Sequence, residues 1–212
     1  MYARDPDNRV VTLAVSGMLW NRSLVMYDVE THSYWSHLLG RAMSGPRRND
    51  DLEQIPSTMT DWGAWKRRYP NTRVLWLPRS SRQYRREFYQ SPERFVLGLA
   101  GVSPPRAWEF TQLSRTPIVN DQINNKRVVA VFDPDTLTAR LYSSEVRGKL
   151  LKFERDAQGF LDVQTRSLWD RITGECVAGQ YKGETLIPMP AIVSYRNTWL
   201  TFHPKTDFGS AR

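Results

Sequence analysis

The chain has 212 residues, of which 40% are hydrophobic and 12% aromatic, a composition that excludes wholesale disorder. It contains no apolar run near the roughly 20 residues of a membrane-spanning helix and no apolar signal-peptide core in residues 1–10. We therefore expect a soluble protein of one large or two small domains, with neither an export signal nor a membrane partner in this chain. Its single cysteine, Cys176, excludes an internal disulfide and a cysteine-based metal cage.

The formal net charge of +8 reflects a basic stretch between Lys66 and Arg86. Aromatic side chains are interleaved with the arginines there, and the two residue types together can bind phosphates and stack bases. No nucleic-acid-binding motif accompanies the charge, so we favour a solvated arginine-rich connector and keep nucleic-acid binding as the weaker alternative. The residues concerned are Lys66, Arg67, Arg68, Arg73, Arg79, Arg82, Arg85 and Arg86, with Trp76, Tyr84, Phe88 and Tyr89.

The sequence contains an internal repeat, in which two similar segments lie 134 residues apart. Shifting the sequence by 134 residues aligns residues 28–72 with residues 162–206 without a gap. A gap-free match of this length indicates an internal duplication, so we expect the two copies to share a fold. The identical pairs are Asp28/Asp162, Val29/Val163, Thr31/Thr165, Ser33/Ser167, Trp35/Trp169, Gly40/Gly174, Gly45/Gly179, Leu52/Leu186, Pro56/Pro190, Trp65/Trp199, Pro70/Pro204 and Thr72/Thr206.

Each copy begins with a predicted β-hairpin. In the first copy, the apolar run over residues 23–28 and the alternating run after it indicate two strands with a turn at residues 28–32. An aspartate at the start of such a turn accepts backbone N–H groups, and a following threonine does the same more weakly. We interpret the recurring residues as a structural motif of turn, inward-facing tryptophan and tight glycine turns, made of Asp28, Thr31, Trp35, Gly40 and Gly45 and of Asp162, Thr165, Trp169, Gly174 and Gly179.

A short helix is predicted after Pro56, with Thr60 as its N-cap and Pro70 at its end. Ser194 takes the capping position in the second copy. Trp62, Trp65 and Tyr69 share one face of this helix, and residues 71–77 indicate a further strand.

The rest of the chain is rich in strand patterns. Strands are predicted over residues 94–100, 116–123, 126–133, 137–142 and 149–154, with a hairpin turn at Asn124-Asn125. The predicted fold is mainly β, at the margin of α+β, with two related β-rich modules that each carry one short tryptophan-bearing helix. Residues 1–77 form a first module that is incomplete at its N-terminus, residues 78–93 an arginine-rich connector, and residues 94–208 a complete second module.

The best candidate site lies where the two copies differ. Asn21, Ser23 and Tyr27 are polar residues in a mostly apolar stretch of the first copy, and buried polar groups need partners. With Asp28 and Trp35 they form the predicted ligand-binding set for a small molecule, and the leading prediction is a ligand-binding or a purely structural β-module, since the backbone could also supply the partners. The alternative is an enzyme with its site around residues 21–28, metal-assisted in full-length relatives. Asp28 and Asp162 could then act as general acid and base, but we favour the interpretation that each carboxylate stabilises its own turn.

No cofactor and no metal are expected from the motifs. Glycine-rich phosphate loops are absent from the sequence, and the two copies share none of the histidines. An asymmetric metal site that uses His32 or His37 stays open as an alternative. Cys176 occupies the position of Ala42 and is interpreted as a small buried residue rather than a nucleophile.

Several segments resemble a prokaryotic protein family, the domain of unknown function 3179. They are VSGMLWNRSLVMYDVETHSYWSHLLGRAMSG (15–45), RFVLGLAG (94–101), PIVNDQINNKRVVAVFD (117–133) and SLWDRITGECVAG (167–179). The resemblance covers nearly the whole chain and implies kinship without an assigned activity. Relatives carry a Cys-Pro-x-Cys motif before the first segment and a histidine before Ile-Val-Asn-Asp; this chain has neither, and it has Asn21-Arg22-Ser23 where relatives have Asn-Ser-Asp. The resemblance therefore predicts a fragment, or a member that lacks the N-terminal module with the Cys-Pro-x-Cys motif.

Overall fold

The computed structural model describes residues 1–74 and 90–209. In the first copy a 3-10 helix, Pro6–Asn8, precedes four strands and a seven-residue helix. These elements are β1 (Leu13–Trp20), β2 (Ser23–Asp28), β3 (Tyr34–Ser36), β4 (Arg41–Ser44) and α1 (Trp62–Arg68). The four strands form one antiparallel meander in the order β1-β2-β3-β4.

The remaining described elements begin with a second 3-10 helix at Pro92–Arg94. They continue with β5 (Phe95–Leu99), β6 (Arg106–Glu109), α2 (Phe110–Arg115), β7 (Ile118–Ile123), β8 (Lys126–Asp133), β9 (Thr138–Ser143), β10 (Glu145–Val146), β11 (Lys149–Leu150), β12 (Phe153–Arg155), β13 (Phe160–Asp162), β14 (Leu168–Trp169), β15 (Cys176–Ala178), β16 (Ile192–Tyr195), α3 (Arg196–Phe202) and β17 (Asp207–Phe208).

These strands form three larger sheets and the β10-β11 hairpin. A meander in the order β12-β13-β14-β15 repeats the first copy's sheet, and β7-β8-β9 form a three-stranded antiparallel sheet. The third sheet has the order β16-β5-β6-β17, in which β17 runs parallel to β6. The prediction of a mainly β fold with two related modules is confirmed, and α2 is a helix that the sequence patterns did not predict.

The two meanders share their register as well as their order. Trp35 pairs with Met26 on one side and Ala42 on the other, and Trp169 pairs with Phe160 and Cys176 at the matching positions. Both tryptophans are fully buried and sit beside a register shift of the same kind. The duplication therefore preserved a tryptophan-centred sheet down to its irregularities.

The equivalence extends beyond the gap-free part of the alignment. Tyr2 forms an isolated antiparallel bridge with Gln54, and Tyr142 forms one with Pro188, the residue equivalent to Gln54. A Cβ atom added at Gly40 would lie 2.5 Å from the Tyr2 ring, and one added at Gly174 would lie 2.6 Å from the Tyr142 ring. Each glycine is thus kept small by a tyrosine that packs directly on its backbone.

The helices α1 and α3 end with the same tryptophan–threonine hydrogen bond. The indole Nε1 of Trp65 donates to Thr72 Oγ1 at 3.0 Å, and Trp199 Nε1 donates to Thr206 Oγ1 at 2.8 Å. This bond gives a physical reason for the recurrence of both residue pairs in the sequence. It also holds Thr72 in the turn after α1, and residues 71–74 accordingly form no strand, whereas the rest of the predicted strand over residues 71–77 lies outside the described residues.

The predicted N-caps of both helices were wrong by one residue. Asp61, not Thr60, caps α1, and its carboxylate accepts a hydrogen bond from Ala64 N at 3.0 Å. In the second copy the cap is Tyr195 rather than Ser194, and no side-chain bond caps it. Aspartate and threonine are both good N-caps, so the sequence pattern did not choose between the neighbours.

The predicted strand over residues 149–154 is divided into β11 and β12. Leu151 N donates to Ser144 O at 2.8 Å, which turns the chain inward and buries Leu151 between the two strands. Most of the predicted connector over residues 78–93 falls outside the described residues, and its last part contributes to the 3-10 helix at Pro92–Arg94.

Apolar packing joins the two copies into one body. Each meander has its own buried cluster around its tryptophan, and a larger cluster fills the space between the β5 and β8 sheets. A fourth cluster brings Leu38 of the first copy against Val96, Ala107 and Trp199 of the second. Among the described helices, none is both long and apolar enough to cross a membrane.

Candidate functional site

Both carboxylate oxygens of Asp28 accept hydrogen bonds from residues in or directly after the turn that follows β2. Asp28 Oδ1 accepts from Thr31 N at 2.6 Å and from Thr31 Oγ1 at 2.7 Å, while Oδ2 accepts from Trp35 Nε1 at 2.8 Å. Burial opposes ionisation, but the hydrogen bonds from Thr31 and Trp35 outweigh it and lower the pKa of Asp28 from its ordinary value. The carboxylate is fully buried and points at its own turn.

The second copy repeats this arrangement. Asp162 accepts from Thr165 N at 2.6 Å and from Trp169 Nε1 at 3.2 Å. The tight turns that close each motif are equally constrained, since a Cβ at Gly45 or Gly179 would lie 2.6 Å from the Cα of Ser33 or Ser167. Both copies of the motif therefore have a structural role, and their polar side chains form hydrogen bonds within the motif.

A third occurrence of this turn escaped the sequence analysis. Thr136 Oγ1 donates to Asp133 Oδ2 at 2.6 Å and lies 2.6 Å from Thr138 Oγ1, and Leu137 has a φ of 52° where His32 and Arg166 have 56° and 59°. The shared signal is Asp-x-x-Thr-x-Ser/Thr. It was detectable, but without the following tryptophan it is too short to stand out.

Arg140 takes the place of the tryptophan in this third turn. Its guanidinium lies 5.1 Å from the Tyr142 ring centroid and donates to Ile172 O at 3.1 Å and to Thr58 Oγ1. Thr138 Oγ1 also donates to Thr60 Oγ1 at 2.7 Å. The third turn therefore ties the second copy to the loop that precedes α1.

The β1-β2 hairpin of the first copy is longer than its counterpart. Leu13 pairs with Asp28 and Phe153 with Asp162, but 14 residues lie between the first pair and 8 between the second. The added length ends in a two-residue turn of Asn21 and Arg22, with φ values of 48° and 64°. Two positive φ values in a two-residue loop define a type I′ turn, which favours Asn at its first position but Gly at its second.

The extended hairpin reaches the helix of the other copy. Trp20 packs edge-on against Phe202 of α3, with ring centroids 4.8 Å apart at an interplanar angle of 88°. This contact holds the hairpin beside α3, at the C-terminal end of the helix. Two adjoining cavities lie between the tip and the second copy.

The smaller cavity has a volume of about 530 Å³ and a cationic lining. Its three guanidinium groups outnumber its carboxylate, Glu93. Arg196 is engaged by Glu109, whose Oε1 accepts from its Nε at 2.5 Å, and Arg94 lies over the Tyr195 ring at 5.4 Å. The lining residues are Asn21, Arg22, Glu93, Arg94, Tyr195, Arg196, Asn197, Thr198 and Thr201.

Arg22 differs from the other two arginines in its surroundings. It is exposed and makes no hydrogen bond or ion pair with residues 1–74 or 90–209. A non-glycine residue in the left-handed region costs about 1 kcal/mol, so the position is held against a local preference for glycine. It lines the smaller cavity, where a ligand can use its donors.

The larger cavity, of about 720 Å³, has an apolar floor and a polar rim. Leu38, Phe95, Ala139 and Ala191 line it, although each belongs to the buried core. Ser23 and Ser194 stand among the polar lining residues. His37 also lines the cavity, and burial lowers the pKa of its imidazole, which favours the neutral form.

The predicted ligand-binding set is divided by the fold. Asn21 lines the smaller cavity and Ser23 the larger one. Asp28 and Trp35 are buried together in the turn, and Tyr27 stacks on His32 with ring centroids 6.5 Å apart. These last three side chains line neither cavity.

The other sequence-based candidates are a metal site, a reactive Cys176 and the basic stretch between Lys66 and Arg86. Within residues 1–74 and 90–209, no group of three histidine, cysteine or acidic side chains is placed to hold a metal ion. Cys176 is buried, and burial raises the pKa of its thiol. Of the basic stretch, Arg68 pairs with Glu175 and Lys66 lies 6.0 Å from the Trp62 ring centroid, whereas Arg79, Arg82, Arg85 and Arg86 fall outside the described residues.

Sequence reasoning missed the partners of Asn21 in the smaller cavity. Arg94, Arg196 and Asn197 are distant from Asn21 in the chain and carry no motif of their own. The local signal for Arg22 was an Arg directly after Asn between two apolar runs, because the second position of a type I′ turn usually demands glycine.

Comparison with known proteins identifies one family. The family model described as Protein of unknown function (DUF3179) matches residues 1–95 and again residues 90–208. The two matches together extend over both copies of the duplication. Searches of curated proteins and of solved structures found no match.

Proposed function

We propose, for a chain that belongs to the DUF3179 family of proteins of unknown function, that it binds a small oxyanion in the cleft between the β1-β2 hairpin tip and α3. The anion is a carboxylate or a phosphate, the two groups that the planar guanidinium fork binds in bidentate fashion. The smaller cavity supplies the head-group site, and its volume of about 530 Å³ lies within the range of small-molecule pockets.

The position of Arg22 carries this proposal. It sits at the tip of an extension that the second copy lacks, in a backbone conformation that disfavours arginine, and its guanidinium has no partner in the described chain. Strained backbone positions tend to persist where function requires them. An anion at the cavity mouth would complete the hydrogen bonding of Arg22 and offset that cost.

The neighbouring groups support an anion rather than a cation. Asn21 and Asn197 provide side-chain amide donors, and Arg196 is held in place by Glu109 and lies 5.4 Å from the Phe208 ring centroid. Fixed donors lose little conformational freedom when a ligand binds. The cleft thus combines Arg22, which has no partner within the described residues, with Arg196, which is already held in place.

Isothermal titration of the full chain with inorganic phosphate, and separately with acetate, tests this proposal. We expect saturable binding that weakens with added salt, and a loss of about tenfold or more in affinity in Arg22→Gln. Arg155→Gln is the matched control, since Arg155 is an exposed residue of the second copy's shorter hairpin. Equal losses in the two variants, or no saturable binding to the wild type, would refute the anion site.

A further inference from the structure

The two cavities are parts of one cleft. Arg22, Tyr195 and Thr198 line both of them, so the cationic compartment and the apolar compartment meet across these three side chains. A ligand head group bound at Arg22 therefore stands at the entrance of the larger cavity. The wall between the compartments consists of amphipathic or polar side chains that can contact both halves of a ligand.

The floor of the larger cavity is made of core residues. Phe95, Leu38 and Ala139 are 5%, 7% and 3% exposed, yet all three face this space of about 720 Å³. Ile192 and Val193 of β16 add further apolar surface, and Met59 lies at the side of the first copy. Such a surface gains free energy when apolar ligand atoms replace water against it.

We propose that the ligand is an amphipathic anion, with its carboxylate or phosphate at Arg22 and an aliphatic chain or apolar ring in the larger cavity. This inference rests on the proposed anion site and specifies the class of molecule that the site accepts. Charge complementarity places the head group, and the apolar floor places the tail. Both copies contribute, because the hairpin comes from the first and β16 with α3 from the second.

The position of Ser23 fits this division. Ser23 is 8% exposed and lines the larger cavity next to Arg22. A serine hydroxyl can both donate and accept hydrogen bonds. A ligand whose head group sits at Arg22 would place an acceptor within reach of Ser23 at the start of the apolar compartment.

A homologous series of alkyl phosphates tests the inference directly. The full chain is titrated with inorganic phosphate and with ethyl, butyl and hexyl phosphate, and in parallel with acetate, butyrate and hexanoate. Each buried methylene should raise affinity about fourfold until the cavity is filled. The neutral probe 1-hexanol should bind at least tenfold more weakly than hexyl phosphate, because it lacks the charge that Arg22 binds.

Two variants locate the tail. Ala139→Leu extends a buried floor residue into the cavity and should reduce hexyl phosphate affinity about tenfold or more while preserving that of inorganic phosphate. Met59→Ala removes an apolar contact from a loop side chain that is 45% exposed, and should cost hexyl phosphate several-fold. Met18→Ala is the matched control, since Met18 is also 45% exposed but lines neither cavity.

The outcomes separate this inference from the proposed function. Phosphate binding that depends on Arg22 but does not strengthen with chain length overturns the amphipathic ligand and leaves the anion site intact. Failure of every anion to bind overturns both. Hexanol that binds as tightly as hexyl phosphate overturns the amphipathic anion, because the charged head group then contributes nothing to its binding. A chain-length gain that Met59→Ala reduces and Met18→Ala leaves unchanged supports the inference even if Ala139→Leu does not fold.

Discussion

Trp20 and Phe202 meet edge-to-face at 4.8 Å between ring centroids, and this contact joins the hairpin tip of the first copy to the helix of the second. The edge-to-face geometry is a preferred arrangement of aromatic rings and contributes about 0.5–1.5 kcal/mol beyond area burial. Because Asn21 and Arg22 follow Trp20 directly, the contact also positions the side chains that line the smaller cavity.

Replacing Trp20 by alanine should therefore reduce the affinity for anions and cause only a modest loss of folding stability. Trp20 is 41% exposed, so we expect the free energy of unfolding to fall by about 1–2 kcal/mol, while phosphate affinity falls at least several-fold. Urea denaturation and titration calorimetry measure the two effects. Tyr34→Ala is the control, as Tyr34 is 40% exposed and lines neither cavity; an equal loss of affinity in both variants would contradict a specific role for the tip contact.

Replacing Arg22 by glycine should stabilise the protein and abolish its anion binding. Glycine adopts the left-handed conformation of Arg22 without a Cβ penalty, so we expect the free energy of unfolding to rise by up to about 1 kcal/mol. The control is Arg155→Gly, which should change the free energy of unfolding in the opposite direction. Arg155 lies in strand β12, where glycine should cost about 0.5–1 kcal/mol. Chemical denaturation of both variants checks the pair, and a destabilised Arg22→Gly protein would show that the tip is not strained.

Asp28 should make the stability of the protein sensitive to acid. Its pKa is lowered in the folded state, so its ionised form contributes stability that is fully present above the unfolded pKa of about 3.9 and is lost as the pH falls towards the lower folded pKa. Asp28→Asn should cost about 1.5–3 kcal/mol at pH 7, the value of hydrogen bonds to a charged group. The variant should also show a smaller loss of stability between pH 5 and pH 2 than the wild type.

Urea unfolding across that pH range measures both quantities. Asp135→Asn is the control, because Asp135 is exposed and has no hydrogen bond within the described residues. If Asp28→Asn and the wild type lose stability in parallel as the pH falls, the Asp28 carboxylate does not contribute to acid sensitivity.

The hydroxyl pair of Thr60 and Thr138 should couple the two copies energetically. Thr138 is fully buried and donates to Thr60 at 2.7 Å across the module boundary. Replacing either residue by valine should cost about 0.5–1.5 kcal/mol, because each change removes this hydrogen bond. The double variant should cost at least about 0.5 kcal/mol less than the sum of the single changes, whereas additive effects in denaturation experiments would exclude the coupling.

Local patterns were enough to predict the repeated frame. Asp28, Thr31 and Trp35 lie within eight positions of one another, and their hydrogen bonds depend on the geometry of a single turn. Recurrence of the same residues in the second copy separated this turn from chance similarity. The mainly β fold and the family membership followed from the same local regularities.

Competing local signals were decided by neighbouring structure. Thr60 and Asp61 are both suitable N-caps, and the cap became Asp61 because Thr60 is engaged with Thr138 in the second copy. A strand was likewise predicted after α1. In its described part the chain forms a turn instead, in which Thr72 Oγ1 accepts a hydrogen bond from the Trp65 indole. In each case a tertiary hydrogen bond or a helix-end bond outweighed a weak backbone preference.

By itself the sequence determined the duplication, the two tryptophan-centred meanders and the position of the extended stretch in the first copy, because short-range hydrogen bonds and alternating burial specify all three. Only the tertiary structure decided that the extension folds over α3 and brings Arg22 beside Arg94 and Arg196 above an apolar cavity. That juxtaposition depends on packing between residues far apart in the chain, such as Trp20 on Phe202 and Leu38 on Trp199, and no local periodicity encodes such contacts.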